Sequence, residues 1–285
     1  MLSRLSFVLN FLNNKIVAKH YFGYTNTKEY KVTKGQVHKE IFLSIVIPAY
    51  NEEWRIIDTL DEFIKYLSKQ SYTYEIIIVD NGSRDNTWNL LTDYSARYDF
   101  ISVFKNLRNM GKGYSVKRGI EESNGKYVLF SDADMSVKPE YIQKLLNELT
   151  EGTDMVIGSR SIKGASIETP QPWLRSKLGP LFHTIVRRFI IGDFLDSICG
   201  FKGFKANAAK TICKEQTLYG YCFDVEILLI AQKNGYLIKE IPVVWNDKMG
   251  SKLSILDSPA ILWEIAKIKI NQIKGRYNKI MPNRK

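Results

Sequence analysis

Between Leu43 and Gly158 the chain alternates short β-branched runs with stretches of helical apolar spacing, and this alternation restricts its fold more than any other feature. The runs LSIVIP, YEIIIVD, ISVF, KYVLFSD and DMVIG predict strands, and residues 52–69, 87–98, 111–123 and 137–149 carry the apolar repeat of helices. Strand and helix in turn mean βαβ units and a parallel sheet. Pro139 falls in the first turn of the last predicted helix, where a missing N–H costs nothing. Each strand ends in polar or glycine-rich residues, and open α/β sheets bind ligands just beyond the carboxyl ends of their strands. A site is therefore expected to collect Tyr50, Asn51, Asp80, Asn81, Gly82, Asp132 and Asp134.

After Gly158 the alternation loosens into a Gly/Pro-punctuated linker at 163–172, a long basic amphipathic stretch and a final strand at 236–244. A chain of 285 residues that is 45% hydrophobic can bury one large core with appendages. The expected division is a basic amphipathic segment at 1–40, a catalytic domain at 41–257 and a basic helix and tail at 258–285.

Three cysteines, Cys199, Cys213 and Cys222, have neither CxxC spacing nor a histidine in register, so neither a disulfide framework nor a zinc site is indicated. The net charge is +11, and residues 258–285 supply +6 of it, with seven Lys/Arg against one Glu. An anionic surface is the expected partner: charge alone is met equally by a nucleic acid and by anionic lipid, which attracts basic segments by roughly 1 kcal/mol per cation. No window reaches the ~20 uninterrupted apolar residues that span a bilayer. The first 22 residues are basic and apolar but interrupted by Asn10, Asn13 and Asn14, which suits a surface-lying or a docking helix.

Two strand ends carry the chemistry. IVIPAYNEE is followed by IIIVDNGSRDNT, which puts Asp80 before an Asn-Gly-Ser turn as an acceptor for N–H or hydroxyl groups of a nucleoside, or as a cap on that turn. FSDADMS sets Asp132 and Asp134 two residues apart just past a buried strand. Mg2+ or Mn2+ prefers carboxylate oxygens plus substrate phosphates, so such a pair can hold a metal and a diphosphate, or favour the next helix dipole.

IVIPAYNEE, VDNGS, NMGKGYSVKRGI, SDAD and GSR together resemble family-2 inverting glycosyltransferases with a GT-A fold, a Rossmann-like mixed, mostly parallel α/β sheet flanked by helices. SICGFKGF, CFDVEILLIAQ, IKEIPVVW and GSKL resemble the dolichyl-phosphate β-glucosyltransferase branch, and GSKL also has a relative in polyprenyl-phosphate mannosyltransferases. The resemblance implies that Pro48, Tyr50 and Glu52 line the nucleoside pocket, that Asp80 holds uracil, and that Asp132 and Asp134 bind ribose, metal and diphosphate. It further implies that Lys112, at a helix start that favours anions, lies near the phosphates, and that Arg160 faces the donor sugar or the acceptor phosphate.

An acceptor hydroxyl needs a positioned base, for which Asp224 and Glu226 are the candidates. A phosphate, with a second pKa of about 6, arrives as an anion and needs only cations to place it. Arg175, Lys202, Lys248 and Lys252 are the candidates for that task. The Q-x-x-R-W motif frequent in the family's polysaccharide synthases is missing, which favours lipid phosphate.

Two amphipathic stretches can present the lipid. Leu174, Leu178, Leu181, Ile185 and Phe189 recur at helical spacing, and Ser258 can cap a helix from Pro259 with Ile261, Ile265 and Ile268 on one side. The expected protein is therefore a cytoplasmic enzyme, peripheral on the cytosolic face of a membrane, that uses UDP-glucose and a polyprenyl or dolichyl phosphate. A GDP-mannose-dependent mannosyltransferase and a transferase to a sugar hydroxyl are the alternatives within enzymes. A non-catalytic basic nucleotide- or nucleic-acid-binding module is the alternative outside them. Nucleic acid is not an expected partner, because the aromatics do not interleave with a basic stripe.

Overall fold

The computed structural model of the protein describes residues 30–32, 40–168, 186–192, 194–246 and 258–277. Its β-branched runs become strands β2 (Leu43–Ala49), β3 (Tyr74–Asp80), β4 (Ile101–Lys105), β5 (Tyr127–Ser131) and β6 (Met155–Ser159). To these are added β1 (Tyr30–Val32), β7 (Ser166–Ile167), β8 (Phe201–Lys205), β9 (Ile238–Pro242) and β10 (Val244–Trp245). Eight of them form one sheet in the order β1-β4-β3-β2-β5-β8-β6-β9, while β7 and β10 pair separately. β2 runs parallel to β3 and β5, β3 to β4, and β6 to β9. β8 is antiparallel to both of its neighbours, β5 and β6, and β1 is antiparallel to β4. The mixed, mostly parallel α/β sheet is the one expected.

Seven α-helices lie among the described residues: α1 (Ile56–Leu67), α2 (Thr87–Ser95), α3 (Lys112–Glu122), α4 (Tyr141–Thr150), α5 (Ala206–Glu215), α6 (Phe223–Lys233) and α7 (Ser258–Ile273). Side chains alternate across a strand, so β2 sends Ile45 and Ile47 to one layer and Val46 to the other. The first layer is α1, α2 and α4, through Leu60, Phe63, Leu91 and Leu145. The second is α3, α5, α6 and α7, through Val116, Ile212, Leu228 and Ile268. Each such side chain, wholly removed from water, contributes about 1.5–3 kcal/mol.

The helix expected over 52–69 starts at Ile56, because Glu52 first closes a turn with its carbonyl accepting the N–H groups of Arg55 and Ile56. The helix expected over 137–149 starts at Tyr141. Val137 is buried in an extended bridge to Trp245, which leaves Pro139 ahead of the helix with its carbonyl accepting the Ile142 N–H. The strand expected over 236–244 divides after Pro242, and its second piece pairs with β7. β8 carries no strand signal in the sequence, since FKGFK is a short run broken by Lys and Gly.

The amphipathic stretch from Leu174 lies mostly outside the described residues; its end is a π-helical turn, Arg187–Ile191, with Ile190 and Ile191 buried and both arginines exposed. α7 packs onto the core through the predicted face, Ile268 fully and Ile261 and Ile265 in part. Among the described residues no helix is long and apolar enough to cross a membrane.

Candidate active site

The carboxyl ends of β2, β3, β5 and β6 and the amino end of the reversed β8 meet along one edge of the sheet. Ala49 is in register with Asp80, and Ser131 with Phe201, so residues that follow β2, β3 and β5 and precede β8 come together. Pro48 is buried inside β2 beside Val79. Tyr50 follows it half-buried, and Asn51 turns the chain with φ 51°. The Asn51 N–H donates to Ser83 Oγ at 2.9 Å and its Oδ1 accepts the Arg84 N–H at 2.8 Å, which ties this turn to the one after β3. Glu52 is buried, its carboxylate paired with Arg55 and its N–H donated to Thr87 Oγ1 at 2.8 Å.

Asp80 is shut away from solvent. Its Oδ1 accepts the Ser83 N–H at 3.1 Å, which is the turn-capping role, while Oδ2 is buried without a hydrogen-bond donor and lies 3.9 Å from Lys105 Nζ. Burial raises its pKa, opposed by the Ser83 hydrogen bonds and the Lys105 charge. Oδ1 thus takes the turn-capping role, and Oδ2 is left as a buried oxygen without a hydrogen-bond donor.

At the end of β5, Asp132 and Lys112 form an ion pair of 2.6 Å, and their side chains keep 29% and 38% of their surface exposed. Lys112 is the first residue of α3, delivered by Gly111 at φ 96°, where a Cβ would come within 2.1 Å of the Tyr219 carbonyl. Gly113 then donates its N–H to that same carbonyl at 2.9 Å. Asp134 Oδ1 accepts both the N–H and the hydroxyl of Ser136, at 2.9 and 2.8 Å, across Met135 at φ 52°.

One electrostatic field joins these groups. Desolvation in the cleft works against the Lys112 ammonium, but Asp132, Asp224 and Asp134 outweigh it and raise its pKa. Desolvation raises the pKa of Asp132 as well, with Asp134 and Asp224 adding to it and Lys112 opposing.

A hard divalent cation fits the Asp132–Asp134 pair. Asp132 Oδ1 is engaged by Lys112 Nζ at 2.6 Å, while Gly200 leaves the other oxygen room, since a Cβ there would sit 2.0 Å from Oδ2. Among the described residues no cluster of three or more His, Cys, Asp or Glu forms a closed metal cage. Two carboxylates suit an ion that completes its shell with water and phosphate.

Past β6 and β8 the charges are paired inside the protein. Arg160 donates from Nε and Nη2 to Asp196 at 2.6 and 2.8 Å, its own N–H adds 2.9 Å to the same carboxylate, and its guanidinium lies 5.2 Å from the Trp245 ring. Desolvation opposes this guanidinium, but the Asp196 hydrogen bonds and charge raise its pKa. Lys202, expected to meet an acceptor phosphate, is fully buried instead. Its Nζ donates to Asp224 Oδ1 and to the Cys199 carbonyl, each at 2.5 Å, because β8 turns this side chain inward beneath α6. Lys112 and Lys202 lie 5.2 and 5.8 Å from the ring centre of Phe130, so two cations approach one aromatic ring.

Asp224 is therefore ion-paired, and Glu226 serves the fold rather than the cleft. It is wholly buried, accepting from the N–H and hydroxyl of Thr217, the Leu218 N–H and the Tyr277 hydroxyl at 2.6–2.9 Å. Arg175, Lys248 and Lys252 lie outside the described residues. Two residues carry no sequence signal: Asp196, which directly precedes SICGFKGF, and the buried Asn106, which lies just before NMGKGYSVKRGI but bears no charge.

A profile of Glycosyl transferase family 2 matches residues 44–213. Dolichyl-phosphate beta-glucosyltransferase ALG5C of Trichomonas vaginalis is 36% identical over 227 residues, 76% of this chain and 67% of that protein. The dolichyl-phosphate beta-glucosyltransferase of Saccharomyces cerevisiae is 35% identical over 265 residues, 86% and 79%. That of Homo sapiens is 35% identical over 224 residues, 74% and 69%. Among solved structures, glucosyl-3-phosphoglycerate synthase from Mycobacterium tuberculosis, in complex with Mn2+, UDP-glucose and phosphoglyceric acid, superposes with a TM-score of 0.59. It covers 85% of this chain and 81% of that one at 18% identity, a likeness of fold.

Proposed function

The chain belongs to glycosyl transferase family 2, and on that premise we propose that it transfers glucose from UDP-glucose to a dolichyl or related polyprenyl phosphate with inversion at the anomeric carbon. The observation that carries this reading is identity of 35% over 86% of the chain to a protein named for that transfer. The cleft supports it, with Asp132, Asp134 and Lys112 converging at one strand end.

Asp80 Oδ2 is the acceptor for a nucleobase N–H, with Pro48, Tyr50 and Glu52 forming the pocket around it. Lys112, at the start of α3, takes a share of the diphosphate charge. Asp132 and Asp134 hold Mg2+ or Mn2+, and when bound that ion stabilises the charge that grows on the departing nucleoside diphosphate. A phosphate acceptor comes as an anion and needs no carboxylate to remove a proton. Asp224 can then remain in its pair with Lys202, and that pair holds the floor of the acceptor side rather than exchanging a proton. Arg160, fixed in direction by Asp196, faces the donor sugar or the incoming phosphate. Arg175, Lys248 and Lys252 complete the proposal as acceptor-side cations.

A lipid acceptor requires work at a membrane surface, here the cytosolic face, and α7 supplies a surface suited to it. Leu262, Trp263, Ile270 and Ile273, opposite the core-packed face, are 43–76% exposed. Lys267, Lys269, Lys274 and Arg276 accompany them, and Glu264, the one acid between residues 258 and 277, is buried. An apolar stripe flanked by cations and free of exposed carboxylates is the composition of an interfacial helix. Sedimentation with anionic vesicles tests this, and undiminished binding after Leu262→Ser with Ile273→Ser would remove α7 from the proposal.

The function itself is tested with labelled nucleotide sugars, polyprenyl phosphate and Mg2+ or Mn2+ in detergent. Metal-dependent glucosyl lipid from UDP-glucose, absent with Asp134→Ala, is the expected result. Product from GDP-mannose instead would replace the donor, and no lipid product from any donor would overturn the reading.

A further inference from the structure

Between the end of β3 and the start of α3 runs a connected set of amide hydrogen bonds that none of the predicted roles uses. Asn81 stands directly after Asp80, and Asn106 and Asn109 lie on the loop that leads to Lys112. The Asn106 N–H donates to the Asp80 carbonyl at 2.8 Å, and its Nδ2 donates to Asn81 Oδ1 at 3.0 Å and to Ser115 Oγ at 3.1 Å. Its Oδ1 accepts Arg118 Nη1 at 2.7 Å. Asn81 Oδ1 also accepts the Met110 N–H at 2.9 Å, and Asn81 Nδ2 donates to Asn109 Oδ1 at 3.0 Å. That same Asn109 oxygen accepts the Gly111 N–H at 3.0 Å. Asn81, Asn106, Ser115 and Arg118 are all buried, while Asn109 is exposed.

We infer that Asn81, Asn106 and Asn109 form a clasp that sets the separation between Asp80 and Lys112, so that one nucleoside diphosphate spans both. Asp80 ends β3 and Lys112 begins α3, so their spacing depends on what holds the loop at 106–111 to the β3 end. The clasp does this at both ends of the loop: Asn106 at its beginning, Asn81 to Met110 and Asn109 to Gly111 just before Lys112. Side-chain amides are suited to the task because each donates and accepts at once, and carries no charge to compete with the diphosphate or the ammonium. The three residues are positioning residues. Their hydrogen bonds are made within the protein, and they act through the place they give Lys112.

This rests on the proposed donor reading, in which Asp80 takes the base and Lys112 the phosphates. The test is therefore a comparison of two ligands, uridine, which reaches only the base end, and UDP with Mn2+, which reaches both. Titration calorimetry on the full chain would measure both affinities for wild type, Asn109→Ala, Lys112→Ala and the double variant. Asn109→Ala is expected to leave uridine binding unchanged and to weaken UDP by about tenfold, the order of one hydrogen-bonded constraint lost. In the Lys112→Ala background the same substitution is expected to add nothing. Asn81→Ala removes more of the clasp and should weaken UDP further; if that variant does not fold, exposed Asn109 still decides the question. Equal weakening of uridine and UDP, or a full effect of Asn109→Ala without Lys112, would overturn the inference. Wild-type protein that binds UDP no better than uridine would overturn the donor reading itself, and the clasp with it.

Discussion

At the end of β5 and the start of α3 the charged pair Asp132–Lys112 keeps part of its surface open, whereas beyond β6 and β8 the charges are shut into buried pairs. Lys112 and Asp132 keep 38% and 29% of their side-chain surface exposed, but Lys202 and Asp224 keep 0% and 5%. The two ion pairs have similar contact distances, so distance alone does not separate them. Burial does. A partly exposed pair can exchange partners at lower cost when a charged ligand arrives, because its side chains are not wholly withdrawn from water. A buried pair cannot open without leaving a charge stranded in the interior, so it works as structure.

The comparison breaks most visibly on the donor side through chemistry rather than stability. Asp134→Ala should lower transfer by about 10²–10³-fold, the cost of removing a group that acts on developing charge. Its melting temperature should stay near that of wild type. Initial rates and a thermal melt on one preparation check both, and a collapsed melt would mean that the donor side is structural too.

On the acceptor side the order of effects reverses. Lys202→Met leaves Asp224 buried and unpaired, which costs about 3–5 kcal/mol and lowers the melting temperature by ~10 °C. Replacing both, Lys202→Met with Asp224→Leu, should restore most of that loss. Lys112→Met, the matched change at the end of β5, should shift the melt less than Lys202→Met does, since this pair keeps about a third of its side-chain surface in water. Equal destabilisation by Lys202→Met and Lys112→Met would erase the distinction between the two regions.

The smallest expected effect concerns Cys199, whose carbonyl accepts from Lys202. Burial pushes its thiol up to about 12, with Asp196 adding and Arg160 and Lys202 opposing. The folded protein therefore keeps the thiol protonated where an unfolded chain, with a thiol pKa of ~8.5, begins to lose the proton. The sign follows from the raised value: this contribution to stability is complete below pH ~8.5 and is lost as pH rises toward about 12. Alkylation at about pH 8, just below that thiol pKa, should leave Cys199 unmodified in the native protein and label it once the chain is unfolded. Rapid native labelling would show that the acceptor side is open to solvent.

The same two regions differ in how much of them the sequence displays. The donor side is written in consecutive residues, because a parallel strand ends where its ligand-binding turn begins: Asp80 follows IIIV, and Asp132 and Asp134 follow YVLFS. The acceptor side is assembled from partners far apart in the chain, Arg160 with Asp196 and Lys202 with Asp224. A lysine in FKGFK looks solvated until the antiparallel strand that carries it is seen beneath α6. α7 misleads for a related reason. Its isoleucines at 261, 265 and 268 mark an apolar face correctly, yet that face is spent on the core, and a second apolar face at 262, 263, 270 and 273 is the one left exposed. Periodicity finds apolar faces and does not say which of two is covered.

The most direct test sets dolichyl phosphate against dolichol, with UDP-glucose as donor, Mn2+ present and detergent constant. A glucosyl lipid that is acid-labile and forms only from the phosphate is predicted, because a phosphate brings its own negative charge to a cleft whose Asp224 is engaged with Lys202. Glucose transferred to dolichol at a comparable rate would contradict this, and would require a carboxylate base on the acceptor side.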